Sequence, residues 1–126
     1  MKLNIEELMV GDWVMIHEYP MIKEPRKVVK EHFVRSLCEF EAIPITKEFL
    51  LKNGFEFLPA KDIFYLINEQ CLLVYKNEHK VIQIYKYQES VNDIPPIKCK
   101  QFPIEYVHEL QHILRLCKIN FDIKIN

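Results

Sequence analysis

Apolar and polar positions along the chain change period several times, and each period predicts a short element. After the turn Val10-Gly11-Asp12, the run Trp13 to Tyr19 is bulky and β-branched and reads as a strand. Residues 1–12 form a lead-in to it. Pro20 and Pro25 bracket a loop. Arg26 to Arg35, around Val28-Val29 and Phe33-Val34, predicts a second strand, and Leu37 to Ile43 a third. Short strands opened by Gly-Asp and followed by a long loop point to an SH3-like small barrel or a curled sheet.

Pro44 to Phe55 carries helix signals at both ends. Thr46 is placed to accept a free N–H of the first turn, and Ile45 and Leu50 have the spacing of a hydrophobic staple. Gly54 suits the left-handed residue that closes a helix, with Phe55 folding back onto the last turn. Phe55–Leu58, Ile63–Ile67, Cys71–Tyr75 and Val81–Tyr87 predict strands, with a hairpin loop over Lys76 to His79. Glu89 to Pro96 is a polar, proline-terminated loop, and Ile97 to Phe102 adds a short strand. A longer helix is predicted from Pro103 or Ile104 to about Lys118, with Val107, Leu110, Leu114 and Cys117 on one face. Ile119, Phe121, Ile123 and Ile125 then alternate with polar residues as in a half-buried final strand. The fold class is α+β: antiparallel strands, a short central helix, a longer C-terminal helix and a last strand. Residues 1–126 form one compact domain, with a β-rich part over 1–44 and an α+β part over 45–126.

Composition narrows the function classes. The chain has 126 residues, 49% hydrophobic and 28% charged, which is enough for a core without disulfides or metal. A formal net charge of −1 gives no global excess for non-specific nucleic-acid binding. The most basic stretch holds Lys23, Arg26, Lys27, Lys30 and Arg35; it reads first as a solvated hairpin edge and second as a phosphate-binding face. Four cysteines, Cys38, Cys71, Cys99 and Cys117, lack paired spacing, so a four-cysteine zinc site is not expected and reduced thiols in the cytoplasm are. No apolar run reaches the length of a membrane span.

One motif invites a catalytic reading. His108-Glu109-Leu110-Gln111-His112 matches H-E-x-x-H, which on a helix can set two histidines on zinc with the glutamate as general base. No third ligand stands at a recognised offset; Glu105 and Asp122 are the nearby carboxylates. The expectation is therefore a solvent-facing polar stripe of His108 and His112 with Glu105 and Arg115, with no metal and no cofactor. A metal on His108 and His112, and a zinc hydrolase, are the outlying alternatives.

Three blocks carry a resemblance: Leu8-Met9-Val10-Gly11-Asp12-Trp13-Val14, then Ile43-Pro44-Ile45-Thr46 through Gly54-Phe55, then Tyr106-Val107-His108-Glu109-Leu110-Gln111. In order and content they resemble a family of uncharacterised small proteins of gut anaerobes, often encoded in phage or mobile-element regions. The resemblance implies no activity. It does imply Gln and Asn at the positions of Glu109 and His112, so that H-E-x-x-H arises here from two substitutions.

The leading expectation is a non-enzymatic interaction module that binds a protein partner or itself. Trp13, Tyr106, His108 and Gln111 are its candidate contact residues, since aromatics with polar neighbours are favoured at interfaces. The alternative is a nucleic-acid-binding accessory protein using Lys23 to Arg35, with Trp13, His32 and Phe33 nearby.

Overall fold

The computed structural model describes residues 2–18, 23–33, 38–87 and 97–125. Nine strands and two helices are described: β1 Lys2–Leu3, β2 Trp13–Glu18, β3 Glu24–Lys27, β4 Cys38–Glu41, α1 Lys47–Lys52, β5 Glu56–Leu58, β6 Ile63–Ile67, β7 Cys71–Lys76, β8 Val81–Tyr87, β9 Ile97–Pro103 and α2 Val107–Leu116. Short 3-10 turns occupy Ile5–Glu7, Lys30–Phe33 and Pro59–Lys61. All the pairings between these strands are antiparallel. This is the α+β class that the periodicities predict.

The strands form two sheets, one of four strands in the order β1-β4-β2-β3 and one of five in sequence order from β5 to β9. In the first sheet β1 and β3 are opposite edges and do not pair with each other, so the expected SH3-like barrel is here an open sheet. Its second predicted strand also lies elsewhere. Pro25 is not in a loop but in edge strand β3, opposite Met15, where a residue without an N–H is tolerated. Beyond Lys27 the chain turns rather than extends: Val29 N–H donates to His32 Nδ1 at 2.9 Å, and the buried His32 closes a 3-10 turn over Lys30–Phe33.

Helix α1 follows its sequence signals. Phe49 N–H donates to Thr46 Oγ1 at 3.1 Å, Gly54 takes φ +90°, and Phe55 N–H returns to the Leu50 carbonyl. Helix α2 starts later than expected. Pro103 ends β9 opposite Val81, and Pro44 bridges Tyr106 while Val107 N–H donates to the Ile43 carbonyl. That pairing keeps 104–106 extended, so the helix opens at Val107.

The two sheets have separate cores. Leu3, Leu8, Val14, Ile16, Val28, Phe40 and Ala42 fill the first. The second lies between the inner face of the five-stranded sheet and the apolar stripe of α2, where Phe64, Leu73, Ile82 and Ile84 meet Val107, Leu110 and Leu114. Trp13 of the first sheet packs into the second core, and Tyr106 at the start of α2 packs into the first.

Residues 119–125 keep a strand's alternation, with Ile119 and Ile123 buried and Asn120, Asp122 and Lys124 exposed, yet they form no ladder. Side chains take the place of a neighbouring strand. Asn53 is buried; its Nδ2 donates to the Lys124 carbonyl at 2.8 Å, and its Oδ1 accepts Lys124 N–H at 2.7 Å. Gln70 Oε1 accepts Asn120 N–H, and Trp13 Nε1 donates to the Ile123 carbonyl at 2.9 Å. The expected final strand is therefore an extended strap. The sequence loop over Glu89–Pro96 lies outside the described residues.

Candidate functional site

Helix α2 is used on two faces. Val107, Leu110 and Leu114 enter the five-stranded core, while His108, Gln111, His112 and Arg115, at steps of three and four residues, turn toward the N-terminal sheet. Their target is the turn before β2. Asp12 is fully buried, and its Oδ2 accepts Met9 N–H at 2.8 Å and lies 2.6 Å from His112 Nε2. Its Oδ1 accepts from Arg115 at 2.8 Å. Gln111 binds the neighbouring peptides, accepting Trp13 N–H at 2.7 Å and donating to the Gly11 carbonyl at 3.0 Å. Gly11 has φ +95°, a conformation that strains any residue with a Cβ, and a Cβ there would also lie 3.2 Å from the Arg115 guanidinium. A buried carboxylate is tolerated only when paired and hydrogen-bonded, and this one meets both conditions.

These bonds correct the expectation of a solvent-facing stripe. His108 is 6% exposed, and His112 is held by Asp12. Burial, helped by the nearby His112, lowers the pKa of His108 below its ordinary 6.5 against the opposing pull of Asp12, Glu109 and Glu7. Its Nδ1 is buried without a hydrogen-bond partner, and its ring stands 5.6 Å from that of His112, edge to face. The glutamate of H-E-x-x-H is occupied as well. Glu109 Oε1 accepts the N–H groups of Glu105 and Tyr106 at 2.9 and 3.0 Å, which satisfies free donors at the start of α2. A general base must point at the water it activates, and this carboxylate points at its own helix terminus. Among the described residues no group of three His, Cys, Asp or Glu side chains is arranged to hold a metal ion.

The other candidates are placed as follows. Trp13 is half-buried, with its indole N–H on the Ile123 carbonyl and Lys27 Nζ 5.6 Å from its ring. Tyr106 is half-buried at the start of α2. Trp13, Tyr106, His108 and Gln111 thus gather around the joint between the sheets, rather than on one open patch. In the basic stretch Lys23 pairs with Glu41, lowering that carboxyl's pKa; Arg26 lies 3.6 Å from Glu24, and Lys27 3.7 Å from Asp122. Lys30 is exposed, and Arg35 is outside the described residues, as are the side chains of Phe33, Cys38 and Cys99. Cys71 and Cys117 are buried. Among the described residues no helix is long and apolar enough to cross a membrane.

A surface not named from the sequence is the outer face of the five-stranded sheet. Ile63, Tyr65, Leu72, Val74 and Tyr85 alternate with the buried residues, are half-exposed, and belong to neither core. Ile67 on the same face is 66% exposed. Leu72, Val74, Gln83 and Tyr85 line an open cleft of about 500 Å³, together with the charged side chains of Lys61, Asp62, Lys76 and Glu78. The signal was in the sequence. Ile63-Phe64-Tyr65-Leu66-Ile67 and Cys71-Leu72-Leu73-Val74-Tyr75 are continuous apolar runs, whereas an antiparallel strand with one solvated face alternates. Apolar residues on both faces leave this sheet with an apolar outer side as well as its core side.

Comparison with protein-family models, curated proteins and solved structures finds no match to this chain.

Proposed function

We propose that the chain is a non-enzymatic interaction module that acts by binding protein. The observation that carries this reading is the apolar outer face of β6, β7 and β8, left half-exposed by both cores. Contiguous exposed apolar surface on a small domain marks an interaction site. The use of Glu109 as a helix cap and of Asp12 as a structural anchor supports the same reading, since it leaves the H-E-x-x-H residues with internal roles. Phage or mobile elements are the biological setting in this proposal. That part rests on the three sequence blocks alone.

A photo-crosslinking amino acid at position 74, introduced in cells, tests the reading. The expected result is a covalent adduct with a protein that disappears when Leu72→Asp is added and is absent when the crosslinker replaces exposed Glu48. No adduct from position 74 overturns the proposal.

A further inference from the structure

We propose that the occupant of the outer sheet face is a second copy of this chain, packed face to face about a two-fold axis running along β7. This inference rests on the interaction reading above and names its partner.

The cross-strand register makes the face self-complementary. Three rows cross it: Ile63–Lys76–Val81, Tyr65–Val74–Gln83 and Ile67–Leu72–Tyr85. A two-fold axis along the middle strand lays β6 of one copy over β8 of the other and keeps each row at its own height. Ile67 then faces Tyr85 of the second copy, and Tyr65 faces Gln83. Leu72 and Val74 face their own counterparts on the axis. Across β6, β7 and β8 apolar meets apolar, while Tyr65 and Gln83 keep their hydrogen bonds to Glu56, Gln101 and Tyr85 within each copy. The two Lys76 side chains also meet, at the end of the cleft where Asp62 and Glu78 stand. At that end Lys61 stands just before β6 and Glu78 in the turn after β7. The same operation sets Lys61 of each copy opposite Glu78 of the other. An axis across the strands would instead lay the Ile63–Lys76–Val81 row over the Ile67–Leu72–Tyr85 row, setting the Lys76 ammonium on Leu72 rather than among the carboxylates of Asp62 and Glu78.

Size and edges agree with this arrangement. At ~4.8 Å between strands and ~3.4 Å per residue all five strands cover about 20 by 22 Å, so two copies bury about 900 Å² in projection before side-chain relief is added, about 600 Å² of it from β6, β7 and β8. A specific interface needs about 1,000 Å². Aligned packing of twisted sheets across about 10 Å is a common way to cover such a face. The sheet's edges offer a poor alternative. β5 has three residues and is followed by Pro59, while β9 carries Lys100 and ends on Pro103.

Sedimentation equilibrium of the purified full chain at micromolar concentration tests the proposal. The expected mass is twice the 15.2 kDa of one chain. Leu72→Lys, which sets two ammonium groups together on the axis, should weaken the dimer by at least ~30-fold with the thermal midpoint of the monomer kept as a folding control. Lys61→Glu and Glu78→Lys should each weaken it by about 2- to 5-fold, and the double swap should restore it. A monomer at these concentrations, a dimer indifferent to Leu72→Lys, or singles not rescued by the double swap overturns the arrangement. A monomer here together with a position-74 adduct to a different protein in cells overturns the second copy and leaves the interaction reading standing. A monomer with no adduct overturns both.

Discussion

Asp12 shows how one buried charge fixes a joint. Its two oxygens meet a backbone N–H, an imidazole and a guanidinium, all from groups that lose their partner if the carboxylate goes. Only the carboxylate is fully buried, so its loss leaves the Met9 N–H unpaired and frees His112 and Arg115, whose side chains are 30% and 36% exposed, from the turn they hold. Asp12→Ala is therefore expected to destabilise the fold by about 2–4 kcal/mol, read as a shift in the urea midpoint. His108 sets a pH limb of its own. Burial lowers its folded pKa below the ordinary 6.5. The unfolded chain then takes up a proton before the folded one does, so this contribution is intact above pH 6.5 and is lost as pH falls from 6.5 toward the folded value. His112, Asp12, Glu109 and Glu7 are the charged or titratable groups acting on it. Comparing urea midpoints at neutral and acidic pH should show a smaller drop for His108→Leu than for the parent chain; an equal drop would remove burial of His108 as the cause.

At the scale of elements, the strap shows what an alternating pattern does and does not specify. Burial every second residue was legible in Ile119 to Ile125, because period two records which side faces the core. The absence of a ladder was not legible, because the groups that replace it, Asn53, Gln70 and Trp13, lie far away in sequence. Asn53→Ala removes two bonds to Lys124 and one to the Phe49 carbonyl, and should cost about 2 kcal/mol. Hydrogen exchange at the Lys124 amide should rise with it, while the amides of β7 stay protected. β6, β8 and α1 were readable almost to the residue, since apolar runs and caps are local signals. β3 and the start of α2 were displaced for a shared reason: Pro25 and Pro103 were read as loop or helix-start residues, but each sits on a sheet edge where its missing N–H is harmless.

Across the whole molecule, the three sequence blocks that stand far apart in the chain are adjacent in space. Gly11-Asp12-Trp13 meets Gln111, His112 and Arg115, and Ile43-Pro44-Ile45 pairs with Glu105-Tyr106-Val107. Gly11, Asp12, Trp13 and Gln111 among them are explained by the joint they build between two cores. The polar joint was invisible to sequence reasoning, which could assign Gly11-Asp12 only to a turn and Gln111 only to a helix face. The outer sheet face is the reverse case: its signal lay in two unbroken apolar runs, and its meaning required knowing that α2 covers only the other side.

The joint also bears on how long the fold is expected to last. The bonds that tie the Gly11–Trp13 turn to the C-terminal part link residues 98 to 110 positions apart, from Trp13–Gln111 to Trp13–Ile123. The hairpins of β5 to β8 join neighbours, and such local contacts form early in folding. Contacts with this much chain between them form after the loop entropy has been met, so they fall late on the route to the native state. Interactions absent from the transition state act on the rate of unfolding. Substitutions at Asp12, Gln111 and Arg115 are therefore expected to raise the unfolding rate more than they lower the refolding rate.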